Sequence, residues 1–158
     1  MFISLFLIFL AAALRTPDTV FAQVEFSNPS PEIASLQASV NECATTQSMT
    51  ICLNALSHAD MLRRKSEYVE NSFESITLNA VELLPLYMLA RLYLRDAEKS
   101  TSCGYAQLGE KLIVEISEQT RLLSEQDPEA FKNVDNTLVQ IDGLKTQFAD
   151  VQAYCPGR

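Results

Sequence analysis

The side chains able to do covalent, metal or proton-transfer chemistry in this chain are few: Cys43, Cys52, Cys103, Cys155 and a single histidine, His58. A nucleophilic thiol or hydroxyl would need His58 as its base, because histidine alone has an unperturbed pKa near neutrality. No motif surrounds it. With Asn54, Ser57 and Arg63 close in sequence, it reads as a surface or helix-end histidine. A zinc site fails on spacing, since there is no Cys-x-x-Cys pair and His58 lies beyond Cys52 with no second ligand nearby. Covalent c-type haem needs Cys-x-x-Cys-His, which is absent. The acidic pairs Glu67 and Glu70, Glu115 and Glu118, and Glu125 and Asp127 read as solvated helix faces and caps, and no Glu-x-x-His pair marks a bundle metal site. The expectation is therefore no catalytic, no cofactor-binding and no metal-ligating residue, and a protein that is not an enzyme.

The cysteines have a structural use instead. Met1 to Leu14 is almost wholly apolar, Arg15 to Thr19 breaks the run, and Val20-Phe21-Ala22 places small residues where a signal peptidase reads them. Residues 1–22 thus read as a cleaved signal peptide, although no Lys or Arg precedes the apolar run. The rival is a membrane anchor, for which the run is short against the roughly twenty residues of a span. An even number of cysteines behind an export signal implies two disulfides in an oxidising compartment, extracellular or periplasmic. No stable membrane insertion is expected once the signal is removed.

Residues 23–158 are expected to form a single domain with one core. Arg15 and Asp18 cancel, so the net charge of −8 is unchanged by cleavage. Nucleic-acid binding needs clustered cations, and the only cluster, Arg63-Arg64-Lys65, reads as a solvated helix end. An acidic surface favours a basic protein partner or simple solubility.

The elements that must position these residues are all helical. Ser30-Pro31-Glu32 is a helix start, and Ile33, Leu36 and Val40 lead on one face to Cys43. Ala44 to Ser48 is polar and β-branched enough to turn. A second helix carries Ile51, Leu53, Ala55, Leu56, Ala59 and Leu62 and is expected to end near Lys65. From Tyr68 an amphipathic pattern becomes apolar on every side through Val81 to Leu94, which predicts a buried central helix, with Pro85 imposing a kink or a junction. Glu82 and Arg91 are expected to face water. Tyr87, Met88 and Tyr93 would be core, or alternatively would line a pocket for an apolar ligand. Asp96 to Ser102 reads as a break, followed by a helix from Cys103 to Ser124 with Tyr105, Leu108, Leu112, Ile116, Leu122 and Leu123 facing inward. Asp127-Pro128-Glu129 starts a last helix with a seam of Phe131, Val134, Leu138, Ile141, Leu144, Phe148, Val151 and Cys155. The fold class is all-α: a disulfide-stapled helical bundle with an N-terminal helical hairpin, which either packs on the bundle or projects from it.

Four cysteines allow three pairings. In an antiparallel hairpin turning at Asp127, Cys103 lies level with Val151 and about one turn, roughly 6 Å, from Cys155. That favours a Cys103–Cys155 bridge and leaves Cys43–Cys52 across the first turn. Chain entropy gives upper figures of roughly 2.5 to 3 kcal/mol for the short loop and roughly 4 for the long one.

The interval between Cys43 and Cys52, followed by Leu53 and Leu56, together with Cys103-Gly104-Tyr105, resembles the plant invertase and pectin methylesterase inhibitors, secreted four-helix bundles with an N-terminal helical hairpin. This chain departs from them in its longer Cys103–Cys155 interval, in its end soon after Cys155, and in having Met49-Thr50 where Tyr-Pro is common. The resemblance implies inhibition of a cell-wall carbohydrate enzyme without catalysis. The expected function is thus binding of another protein; the alternatives are a carrier of a small apolar ligand or a periplasmic immunity or adaptor protein.

Overall fold

The structure, a computed structural model, describes residues 30–65, 72–132 and 134–156, and only the backbone over 135–140. The signal-peptide reading of residues 1–22, the expected helical positions Tyr68 and Val69 and the acidic pair Glu67 and Glu70 lie outside the described residues. Among the described residues six helices follow one another: α1 (Pro31–Thr46), α2 (Met49–Arg63), α3 (Phe73–Arg95), α4 (Lys99–Gln126), α5 (Pro128–Phe131) and α6 (Asp135–Gln152). The described residues contain no strand, and the fold is an all-α bundle stapled by two disulfides.

Local chemistry sets the helix ends. The Ser30 hydroxyl accepts from the Ile33 amide at 3.3 Å, with Pro31 in the first turn. Ser72 caps α3 by accepting from the Ser75 amide at 3.1 Å, a signal masked in the sequence by the apolar pattern upstream. Asp127 caps α5 through the Ala130 amide at 3.0 Å.

Three boundaries differ from expectation. Ala44 to Thr46 continue α1, because the Thr45 and Thr46 hydroxyls bond back to the carbonyls of Asn41 and Glu42 at 2.8 and 2.7 Å and so satisfy themselves within the helix. The turn is confined to Gln47 and Ser48. The break after α3 is also short: Ala97 takes a left-handed φ of 64°, the Glu98 amide bonds Tyr93 O at 2.9 Å and the Ala97 amide bonds Leu94 O at 3.2 Å. These are the two bonds of a Schellman cap, so α4 starts at Lys99 rather than Cys103. Finally, the expected last helix is interrupted after Phe131 and resumes at Asp135. The intervening Asn133-Val134 and the following Asp135-Asn136 are weak helix formers, while Val134, 1% exposed, turns inward.

α3 is the central element: α1, α2, α4 and α6 all pack against it. It is buried on nearly every side from Val81 to Ala90, and it runs unbroken through Pro85, whose ring is fully buried. Pro85 supplies no N–H for the carbonyl one turn earlier, yet packing from four neighbouring helices holds the segment as one helix rather than two. The N-terminal hairpin does not project. Ile33, Leu36, Ala55 and Ala59, none more than 1% exposed, join the same core as α3.

α4 and α6 form the antiparallel hairpin. Cys103–Cys155 closes its open end with Cα atoms 5.8 Å apart, and Cys43–Cys52 spans the α1–α2 turn with Cα atoms 4.7 Å apart. Ile116, Leu123, Ile141, Leu144, Phe148 and Val151 face inward as expected. Leu108 does not: it is 53% exposed, and Tyr105 and Leu122 are only partly buried. Ala106 and Gly109 on α4 are buried instead, and Gly109 admits the Phe148 ring of α6 closely. The side chain of Leu138 lies outside what is described.

Candidate functional site

A polar line runs through the otherwise apolar interface of α2, α3 and α4. Its centre is Asn79, 3% exposed on α3. Arg63, at the end of α2, donates to Asn79 Oδ1 at 3.1 Å, and Asn79 Nδ2 donates to Gln119 Oε1 at 2.9 Å and to Glu115 Oε1 at 3.4 Å. Gln119 Nε2 donates in turn to Ser75 Oγ at 3.3 Å. The amide orientation follows from this set, because the reverse orientation would set the NH2 group of Asn79 against the guanidinium, donor against donor. Every polar atom of the Asn79 side chain is thereby satisfied, which is what its burial requires.

Arg63 also forms an ion pair with Glu82, one turn along α3 from Asn79. The side chain of Glu82 retains 14% exposure and that of Arg63 40%. Arg63, Arg64 and Lys65 are exposed at the end of α2, as expected, but Arg63 also anchors α2 to α3, whereas Arg64 pairs locally with Asp60 at 2.8 Å. One expectation is corrected. Glu82 is engaged and largely covered, and Arg91, expected in water, is half-buried with its guanidinium 5.7 Å from the centre of the Tyr87 ring. Glu115 is exposed, as expected, but it is also a hydrogen-bond acceptor within the polar line.

Beside this line lies a half-open cleft of about 250 Å³, lined by Arg63, Glu82, Leu86, Leu108, Lys111, Leu112 and Glu115. Leu86 and Leu112 are buried and form its floor, and Leu108 stands at its rim. Lys111 and Glu115, one turn apart on α4, are exposed and do not pair with each other. The cleft thus combines an aliphatic floor with alternating charges, a surface suited to an amphipathic side chain.

The residues first considered for chemistry are scattered. His58 is half-buried on α2, and among the described residues no hydrogen bond or ion pair joins it to a carboxylate or a hydroxyl. All four cysteines are committed to the two disulfides, leaving no free thiol. Among the described residues no group of three or more His, Cys, Asp and Glu side chains could hold a metal ion. Tyr87 and Met88 are buried in the core, with Tyr87 meeting Phe148 edge-to-face at 5.7 Å, and Tyr93 stacks on Tyr105 at 5.6 Å. Burial, and secondarily Tyr93, raises the phenol pKa of Tyr105.

The reading from sequence passed over Asn79, Gln119 and Lys111. Asn79 carried one usable signal, a lone amide between Leu78 and Ala80-Val81 in an apolar run. Such a residue requires buried partners, and these come from two other helices. No described helix is long and apolar enough to cross a membrane. Comparison of the chain with family models, with curated proteins and with solved structures finds no match.

Proposed function

We propose that this chain is an exported, non-enzymatic helical protein whose role is to bind another protein. The observation that carries the reading is the cleft of α2, α3 and α4: mixed in charge, apolar at its floor, and built on helices fixed to one another by a buried polar line. A rigid frame of this kind loses little conformational entropy on binding, which favours recognition of a partner's surface. The two disulfides suit an oxidising compartment, and the apolar leader reads as the signal that delivers the chain there. Inhibition of a carbohydrate-active enzyme is the form of binding implied by the resemblance to the invertase and pectin methylesterase inhibitors.

Affinity capture from the organism's own extracellular or periplasmic fraction tests the reading. A stoichiometric protein partner, recovered again when the two purified proteins are mixed, is the expected result. Recovery of no partner, or of a tightly held lipid identified by native mass spectrometry, would count against it.

A further inference from the structure

We infer that the cleft between α2, α3 and α4 seats an arginine side chain of a partner protein; this deepens the binding role proposed above and rests on it. The two carboxylates of the cleft differ in what they have to spare. Glu82 is already neutralised by Arg63. Glu115 accepts one long bond, 3.4 Å, from the uncharged Asn79 amide and makes no ion pair among the described residues. An ionised carboxylate has about four acceptor positions, so Glu115 lines the cleft with most of its acceptor capacity unused.

The rest of the cleft matches the remainder of an arginine. Leu86, Leu112 and the rim residue Leu108 offer aliphatic surface to the methylene stem. Arg63 shows that this wall accepts a guanidinium, since its own head group bridges Asn79 and Glu82 on α3. A planar fork can engage both oxygens of the Glu115 carboxylate at once, which the compact ammonium of lysine does less well. Lys111, one turn before Glu115, repels a bare cation but can donate to a backbone carbonyl of the partner, which favours an arginine presented on a polypeptide. The net charge of −8 steers basic surfaces toward the molecule.

The probe is N-acetyl-arginine amide, titrated into the intact isotope-labelled, disulfide-bonded protein and followed by amide chemical shifts. Saturable shifts are expected at residues 82, 86, 108, 112 and 115, with an affinity in the millimolar range, about 1 mM or weaker. Glu115→Gln should weaken the response about fivefold, the size of one solvent-exposed charge interaction. Glu42→Gln, exposed on α1, which does not line the cleft, should leave it unchanged. Shifts spread over the acidic helix faces, an undiminished response in Glu115→Gln, or no saturable response at concentrations up to about 50 mM would each overturn the assignment. Capture of a natural partner by a protein whose cleft ignores the probe refutes the cleft alone. A cleft that binds the probe in a protein that captures nothing refutes the binding role instead.

Discussion

The Phe148 ring lies so close over Gly109 that a Cβ at residue 109 would overlap three of its ring carbons. Phe148 is fully buried and meets Tyr87 edge-to-face on its other side, so it has no empty space to enter. Gly109→Ala should therefore destabilise, even though alanine favours a helix by about 1 kcal/mol. Overpacking costs about 1–3 kcal/mol, which leaves a net loss of up to about 2 kcal/mol in denaturant unfolding. Combining Gly109→Ala with Phe148→Leu should cost less than the two single changes added together, because the smaller side chain yields the space. Strict additivity would mean that the two residues do not meet.

The two disulfides differ in how much of the unfolded chain they restrain. Cys43–Cys52 closes a separation of 9 residues and Cys103–Cys155 one of 52. The chain-entropy model assigns about 2.6 and about 4.1 kcal/mol respectively, both upper figures. Replacing both members of each pair by serine should lower stability more for the second bridge, which also ties the end of α6 to α4. Equal losses, measured by denaturant midpoint at constant slope, would show that the long loop is already restrained in the unfolded state.

Asn79→Ala removes the centre of the polar line and leaves Gln119 Oε1 buried without its donor. An orphaned buried acceptor costs about 1–3 kcal/mol. Arg63→Ala removes a half-exposed partner whose place water can take, and should cost less than about 1 kcal/mol. The ranking is the content of the prediction: a larger loss for Arg63→Ala in thermal unfolding would put the ion pair, and not the buried amide, at the centre of the interface.

Helix geometry made part of this arrangement legible in the sequence. Once Asp127 was read as the turn, the rise per residue alone brought Cys103 beside Cys155, and the unbroken apolar character of Val81 to Leu94 marked α3 as central. Two kinds of feature stayed hidden. Left-handed caps are normally signalled by glycine, and here the positions are Gln47 and Ala97, so α1 and α4 were each read too short. The cleft was hidden for a different reason. It rests on the polar line beside it, which joins three helices across separations of 16 to 44 residues, and a polar residue on one helix cannot show which helix will satisfy it. Leu108 misled in the same way, since its spacing suits the core face while the buried positions beside it are Ala106 and Gly109, the latter under the Phe148 ring.

Arg121 holds two carboxylates of its own helix, Glu118 through bonds of 3.0 and 2.7 Å and Glu125 at 2.6 Å. The hydrogen bonds and then the charge of Arg121 hold the Glu118 carboxyl below the usual glutamate range. A carboxyl lowered in the folded state adds stability above its unfolded pKa, and that stability is lost as pH falls through the folded value. Full exposure and salt screening make the contribution small, so the direct readout is the side-chain titration. Arg121→Gln should return the Glu118 midpoint upward to the ordinary glutamate value, whereas identical NMR titration curves in the two proteins would exclude Arg121 as the cause.

Ala97 is the residue most open to improvement. It occupies the left-handed position of the Schellman cap that ends α3, with φ at 64°, and its side chain is exposed. In that conformation a Cβ crowds the following carbonyl, at a cost of about 1–2 kcal/mol. Glycine is free of that crowding but loses about 0.5–1 kcal/mol more backbone entropy on folding. Ala97→Gly should therefore stabilise the protein by up to about 1 kcal/mol, raising the thermal midpoint by a few degrees for a domain of this size. The same change at Gln47, φ 49° at the end of α1, should act in the same direction. The gain at residue 97 should appear as slower unfolding if the cap forms after the folding transition state, and as faster folding if the α3–α4 turn is part of the nucleus. A fall in stability with Ala97→Gly would mean that the carbonyl crowding is weaker than the entropy that glycine adds to the unfolded chain.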